Sequence, residues 1–266
     1  MRIGIAGCAG RMGRMLVQTV LQTEGARLAG GIEREGHPAI GEDLGALVGL
    51  PAIGLGAGDD PATLFVDAEV VIDFSSPAAL LTYAPLAAAH GTALVVGTTG
   101  LADAHRAALH EAAHAAPVVV AANMSAGVNL LLGLTRRVAA VLGDDYDIEI
   151  VEMHHRHKVD APSGTALALG EAAAAGRGVS LQQAAVRSRD GHTGARPQGA
   201  IGFATLRGGD VVGEHTVIFA ADGERIELTH KATSRTVFAR GAVRAALWCR
   251  DRAPGLYSMR DVLGLE

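Results

Sequence analysis

MRIGIAGCAGRMGRMLVQTVLQ, residues 1–22, reads as a strand, a glycine turn and a helix in immediate succession. Arg2–Ala6 carries a short apolar run, Gly7, Gly10 and Gly13 follow at G-x-x-G-x-x-G spacing, and Arg11–Gln22 has helical composition. Glycines in such a turn permit a tight bend and the close approach of backbone to a pyrophosphate. The helix N-terminus then offers unpaired N–H groups and a favourable dipole. Alone this is a weak signal in a chain with 35 glycines, so its surroundings must decide.

Downstream, strand candidates recur at Arg27–Glu33, Val70–Phe74, Ala93–Gly97 and Val118–Ala122, with helices between them at Pro77–His90 and Ala102–Ala115. Continuous apolar strands alternating with helices predict an α/β fold, a Rossmann-like, doubly wound parallel sheet covered on both faces. Glu33 closes the second strand twenty positions after Gly13, where a carboxylate would take ribose hydroxyls. Arg34 beside it would pair with a 2′-phosphate. The pair predicts use of NADH or NADPH; the plainer alternative makes both residues solvated loop charges. Gly97-Thr98-Thr99-Gly100 and Ala121-Ala122-Asn123-Met124-Ser125 fall at the carboxyl ends of later strands, where such folds bind ligands. Their small and hydroxyl residues suit the nicotinamide end of a cofactor, although helix capping explains Thr99 and Ser125 equally well.

From Ser125 the pattern changes. A helix near Val128–Leu142 leads to a strand at Asp147–Met153 and a helix at Gly164–Ala175. Strands follow at Gly199–Leu206, Val211–Phe219 and Arg225–His230, the last two joined through Asp222-Gly223, a hairpin signal. We therefore expect a dinucleotide-binding domain over 1–124, completed by 235–266, and a mixed α+β domain with an open β-sheet over 125–234. The final helix, Val237–Cys249, is expected to pack back on the first domain. Apolar residues make up 49% and charged residues 19%, enough for a packed core. A net charge of −5 leaves no basic stripe for nucleic acid. Two cysteines without ligand spacing, a strand entered directly after Met1 and no apolar run judged long enough to span a bilayer predict a cytoplasmic protein without a membrane partner.

The richest stretch in chemistry is Glu152-Met153-His154-His155-Arg156-His157-Lys158-Val159-Asp160-Ala161-Pro162-Ser163-Gly164-Thr165, with three of the 11 histidines and one of only two lysines. Contiguous histidines point in different directions, which makes a poor metal site. A zinc-protease spacing does occur at His110-Glu111-Ala112-Ala113-His114, but on a helix without an evident third ligand, so no metal is expected. An anionic substrate pocket fits better. Ser163 can cap the helix that follows, which frees the Gly164 and Thr165 N–H groups for a carboxylate, and His155 and Lys158 add positive charge. Histidine exchanges protons near neutrality, and lysine gives up a proton far more readily than the arginine this chain otherwise prefers.

H-H-R-H-K-V-D-A-P-S-G-T-A at 154–166 resembles the signature of the 4-hydroxy-tetrahydrodipicolinate reductase (dihydrodipicolinate reductase) family. G-x-x-G-R-M-G at 7–13, D-F-S at 73–75, G-T-T-G at 97–100, A-N-M-S at 122–125 and I-G-F-A-T-L-R-G-G-D-V-V-G-E-H-T at 201–216 are similar too, so the likeness spans nearly the whole chain. The resemblance implies an oxidoreductase of lysine and diaminopimelate biosynthesis. It would reduce 4-hydroxy-tetrahydrodipicolinate, a small dicarboxylate, to tetrahydrodipicolinate with NADH or NADPH, as a homotetramer. It places the pyrophosphate loop on Gly7, Cys8, Ala9, Gly10, Arg11 and Met12, ribose selection on Glu33 and Arg34, and the nicotinamide end on Gly97, Thr98, Thr99 and Ala121 through Met124. His154 takes the general acid/base position and Lys158 the proton-donor position, with substrate carboxylates on His155, Lys158, Ser163, Gly164 and Thr165. Met124 stands where phenylalanine is expected, and Cys8 is unusual in the loop. The rivals are a related NAD(P)-dependent imine or amino-acid dehydrogenase and a non-catalytic NAD(P) sensor, neither of which requires the 154–165 block.

Overall fold

The computed structural model describes residues 1–265, which divide into two compact units, Met1–Ala126 with Arg235–Leu265 and Gly127–Ser234. Glu266, the last residue of the segment expected to complete the first domain, lies outside the described residues.

In the first unit β1 (Arg2–Ala6), β2 (Arg27–Ile32), β3 (Ala57–Gly58), β4 (Val70–Asp73), β5 (Ala93–Val96) and β6 (Pro117–Val120) form a parallel sheet. It is joined at one edge by β12 (Gly255–Tyr257), in the order β12-β6-β5-β4-β1-β2-β3. β4 and β5 are buried at every position, because helices cover both faces. On one face Ile3, Ile5, Ile72 and Val95 meet Leu16 and Val20 of α1 (Arg11–Gln22) and Ala242 and Ala246 of α8 (Thr236–Trp248). On the other, Val71, Leu94 and Val118 meet α2 (Pro61–Asp67), α3 (Pro77–His90) and α4 (Asp103–Ala112). Each fully buried Ile or Leu contributes about 1.5–3 kcal/mol of transfer free energy, so the alternate residues of four-residue strands suffice to seat helices on both sides.

Two glycines fix how close those helices come. A Cβ on Gly13 would lie 1.9 Å from the Gly7 carbonyl oxygen, and one on Gly241 would lie 1.7 Å from that of Met124. The first lets α1 start against the end of β1; the second lets α8 press on the segment after β6. Four strands or α-helices of this unit were not expected from the sequence: β3, β12, α9 (Met259–Leu263) and α2. The last carries a legible signal, since the Asp60 carboxylate caps the Ala62 and Thr63 amides and Pro61 occupies the first turn. The helix expected over Ala102–Ala115 ends at Ala112. His114 therefore lies beyond it, and the His110/His114 pair is not held on one helical face.

The second unit opens with α5 (Ala126–Leu142) and continues through β7 (Asp147–His154), α6 (Gly164–Arg177), α7 (Leu181–Ala184), β8 (Ala185–Val186), β9 (Ile201–Arg207), β10 (Gly213–Ala221) and β11 (Glu224–Ala232). Its sheet is mixed, in the order β11-β10-β7-β9-β8, with β7, β8 and β9 mutually parallel and β10 antiparallel to both β7 and β11. β7 alternates strictly between buried and half-exposed positions. Ile148 and Ile150 face Leu131 and Ala139 of α5 and Leu169 and Ala173 of α6, with Phe203, Val217 and Phe219 alongside. The β10–β11 hairpin turns at Asp222-Gly223, where Gly223 alone takes a positive φ, of 86°.

The expectation that no apolar stretch reaches spanning length needs correction. The helical run Ala126–Asp145 is 20 residues long and apolar enough by length and composition. Arg136 and Arg137 break up its apolar appearance in the sequence. In the fold it lays Val128, Leu131 and Ala139 into the protein, so one such helix is weak ground for a membrane.

Candidate active site

The first unit's sheet reverses strand order between β1 and β4, and open α/β sheets bind ligands outside the carboxyl ends of the strands at such a point. The glycine turn sits there, with most of its own amides already used. The Gly7 and Cys8 N–H groups donate to the Ile32 carbonyl (2.8 and 3.1 Å), Ala9 N–H to Glu33 Oε1 (2.8 Å) and Gly10 N–H to the Gly7 carbonyl (3.1 Å). The amides left without a helical acceptor are those of the first turn of α1, at Arg11, Met12 and Gly13. No side chain caps that turn, since Gly10 is its N-cap. An anion would therefore meet Arg11–Gly13 rather than the whole Gly7–Met12 loop. Cys8 turns its side chain away from the turn: it is fully buried against Gly31, and burial pushes its thiol up to about 12.

Glu33 is held at the end of β2 by the Ala9 bond, while Arg34 beside it is exposed. Asp73, at the end of β4, is fully buried and accepts from Ser75 N–H (3.1 Å), the Ser75 hydroxyl and Thr98 Oγ1 (2.6 Å). Burial pushes its carboxyl up against the pull of those donors. Thr98 thus buttresses the crevice through Asp73, while Thr99 is exposed. A cavity of about 280 Å³ brings Arg11 and Met12 from α1 together with Ala122, Asn123 and Met124 after β6. Phe74, Arg235 and Phe238 complete its lining, and Gly97–Thr99, Glu33 and Arg34 lie outside it. Phe74 directly follows the parallel strand β4, the legible signal for it. The arginine and phenylalanine at the start of α8 have no local motif to announce them.

In the second unit the period of β7 places Glu152 and His154 side by side on the inner face, in line with Ile148 and Ile150. His154 Nδ1 lies 2.6 Å from Glu152 Oε2, and Glu152 is only 1% exposed. A buried carboxylate costs several kcal/mol unless it is paired and hydrogen-bonded. Arg207, opposite His154 on β9, forks onto both of its oxygens (2.8 and 2.9 Å), and the Ser163 amide donates to Oε1 (3.0 Å). Burial raises the Glu152 carboxyl, but the bonds from Arg207, His154 and Ser163 outweigh it and hold the group below its ordinary value.

Arg207 also donates to the Asp160 carbonyl (2.7 Å), and the Asp160 carboxylate pairs with Lys158 Nζ at 2.8 Å. Lys158 and the hydrogen bond of Lys158 N–H to the His155 carbonyl (3.1 Å) shape the turn after β7. Lys231, the other lysine, is an exposed cross-strand partner of Glu214 at 3.5 Å, so the rarity of lysine by itself does not mark a site. Ser163 caps α6, its Oγ accepting from Ala166 N–H at 3.2 Å and lying 3.1 Å from His215 Nε2. That hydroxyl is engaged inside the protein, and Gly164 and Thr165 follow it in the first turn of α6. His215 is buried, edge-on to the His154 ring at 5.1 Å between centroids, and burial pulls its pKa down to about 4, so it is neutral in ordinary buffers. Glu152, Arg207 and His215 are the residues the sequence reading missed.

The family model described as dihydrodipicolinate reductase, N-terminus, matches residues 1–124, and that described as dihydrodipicolinate reductase, C-terminus, matches residues 127–263. The chain belongs to the dihydrodipicolinate reductase family. Relatives named 4-hydroxy-tetrahydrodipicolinate reductase include one from Methylocella silvestris, 58% identical over 265 residues that cover 100% of this chain and 97% of the relative. Another, from Cereibacter sphaeroides, is 59% identical over 263 residues covering 99% and 98%. Among solved structures, a dipicolinate-bound dihydrodipicolinate reductase from Paenisporosarcina sp. TG-14 superposes with a TM-score of 0.78 at 24% identity, covering 97% of each chain. An amine dehydrogenase from Mycobacterium smegmatis reaches 0.61 at 14% identity, over 97% of this chain and 95% of its own. At those identities the likeness is one of fold. In this member of the family both halves of the expected architecture are present, and Glu152, within the stretch matched by the C-terminal model, gathers His154, Ser163 and Arg207 around it.

Proposed function

We propose that this protein reduces 4-hydroxy-tetrahydrodipicolinate to tetrahydrodipicolinate, the reaction for which its relatives are named, with NADH or NADPH as reductant in lysine and diaminopimelate biosynthesis. The observation that carries the reading is the 152–165 cluster, a histidine and a lysine beside the N-terminal turn of a helix. That combination offers proton transfer and carboxylate binding within one turn of chain.

The first unit fits a dinucleotide. The α1 N-terminus is free of a side-chain cap, and Gly13 holds it against β1, where a pyrophosphate requires close backbone approach. Arg11–Gly13 would take the phosphates, Glu33 the adenosine ribose and the exposed Arg34 a 2′-phosphate, so both cofactors are accepted. Ala122–Met124 and Phe74 would flank the nicotinamide. When bound, the reduced nicotinamide supplies a hydride.

In the second unit Gly164 and Thr165 amides, with His155 and Lys158, would hold the substrate carboxylates. The 4-hydroxyl leaves as water to give a conjugated ring. With hydride supplied at C4 by the bound cofactor, Lys158 or His154 would give a proton to the neighbouring ring carbon. Asp160 holds Lys158 in place, and Arg207 ties the backbone of Asp160 to Glu152, so both proton-bearing groups hang on one frame. Assembly into a homotetramer through the free face of the second sheet, where Leu206 is 49% exposed, would follow the family and is read by sedimentation.

The test is a coupled assay in which the preceding synthase makes the substrate in place from pyruvate and aspartate semialdehyde. Synthase-dependent loss of nicotinamide absorbance is expected with each cofactor. Cofactor binding without any oxidation would transfer the assignment to another imine substrate or to a sensing role.

A further inference from the structure

The mechanism above needs a histidine whose exchanging nitrogen is defined, and nothing in a bare imidazole decides which one that is. Its two tautomers are close in energy, and the partner of one nitrogen selects the state of the other. An ionised carboxylate can only accept, so at 2.6 Å from Glu152 Oε2 the Nδ1 atom of His154 must be the donor. Glu152 cannot rotate away, because Arg207 grips both its oxygens from β9 and the Ser163 amide holds Oε1 from the start of α6. The His215 ring, edge-on at 5.1 Å, walls the imidazole from the side.

An independent observation lies at the other nitrogen. A Cβ on Gly213 would sit 3.0 Å from His154 Nε2, where a proton acceptor belongs. Gly213 begins β10 and is not among the glycines with positive φ. Backbone conformation therefore does not call for glycine there, and within a strand glycine carries an entropic cost. The missing side chain is explained by the space it leaves.

We propose that Glu152 and Gly213 are positioning residues for the proton-transfer step: Glu152 fixes the His154 proton on Nδ1, and Gly213 keeps Nε2 open as the one atom of that ring that takes up a proton from solvent and passes it to the substrate. The proposal rests on the reductase reading and adds to it the identity of the working nitrogen. It also explains why the Glu152 network extends to Ser163. One carboxylate sets both the ring plane of the acid and the start of the helix turn that would hold the substrate's carboxylates.

Nitrogen-15 spectra of the side chain of His154 in the full-length protein, assigned by their loss in His154→Gln, test the first half directly. The Nδ1–H tautomer is expected in the wild type and a mixture in Glu152→Gln; an Nε2–H tautomer in the wild type overturns the proposal. Gly213→Ala tests the second half without touching the Ser163 contact. In the coupled assay its kcat and kcat/KM should fall together, by about 10²-fold, as for a lost transition-state interaction. Its affinity for dipicolinate, a carboxylate probe, and its Nδ1–H tautomer should stay as in the wild type. A Gly213→Ala enzyme within about twofold of wild-type kcat would refute the role of Nε2. If the wild type itself oxidises no cofactor, the reductase reading fails while the tautomer measurement still stands, so the two failures are told apart.

Discussion

Replacing Arg207 by methionine removes the counter-charge from a carboxylate that is 1% exposed while keeping most of the side-chain volume. Arg207 supplies two of the four hydrogen bonds that Glu152 receives, at 2.8 and 2.9 Å, and a third of its bonds reaches the Asp160 carbonyl. Breaking a buried pair from one side costs about 3–5 kcal/mol, because the surviving charge is left without compensation. The Arg207 side chain is 20% exposed, so water reaches its position and the lower figure applies. About 3 kcal/mol corresponds to a fall of roughly 10 °C in unfolding midpoint for a chain of this size.

The pH dependence carries the diagnosis. In the wild type the Glu152 carboxyl is held below its ordinary value of 4.5, so its stabilisation is present above that pH and is lost as pH falls through the lower, folded value. In Arg207→Met, burial is opposed only by His154 and the Ser163 amide, and the carboxyl moves up. The variant's deficit should then be full at pH 7–8 and shrink toward pH 4–5, as Glu152 takes a proton and ceases to be a buried charge. His215, which must charge against burial as the solution is acidified, destabilises both proteins below pH 6.5. Urea unfolding at a series of pH values reads the deficit, and Arg207→Lys should recover part of it as a point charge without the fork. A deficit below about 1 kcal/mol, or one that is flat with pH, would refute the view that Arg207 compensates Glu152.

Gly13→Ala would place a Cβ on the order of 1.5 Å inside normal contact with the Gly7 carbonyl, forcing α1 off the end of β1. Its Kd for NADH should rise about tenfold to hundredfold by calorimetry, and an unchanged Kd would remove the α1 N-terminus from the cofactor site. Arg34→Ala should weaken NADPH about tenfold and leave NADH unaffected, as expected for one charge-assisted contact to a phosphate; equal effects on both would deny it that role. Cys8 and Cys249 are buried, with thiols pushed up to about 12. A thiol reagent at pH 8 should label both only after denaturant is added, and rapid labelling of the folded protein would contradict the packing.

Legibility tracked the range of the physical signal. α1 and α3 match their expected limits because glycine or proline marks their starts and the intervening residues have helical character. β3 and β12, of two and three residues, carry no period at all and exist through pairing with strands distant in sequence. The 154–165 block was conspicuous as composition, yet its organising residue was hidden in the preceding strand. A clue did exist there: Asp147–Met153 alternates, and Glu152 falls in the register of Ile148 and Ile150, on the side where an acid must find a partner. The partner, Arg207, stands 55 residues away on a strand whose pairing to β7 no local pattern reveals. Cys8 shows the opposite limit. Its place in the loop was right, but backbone bonds to Ile32 turn the side chain into the core, and no property of the loop sequence announces that.

α8 and β12 come after the whole second unit in the chain, yet they finish the first: α8 fills the face shared with α1, and β12 closes the edge beside β6. The second unit is thus an insertion, entered after Ala126 and left before Arg235. During synthesis its strands can all pair before α8 exists, whereas the face of the first sheet carrying Ile3, Ile72 and Val95 stays uncovered until the final segment emerges. The half that begins first is completed last, and a nonsense or frameshift lesion after residue 234 would leave an intact inserted unit joined to an exposed hydrophobic sheet.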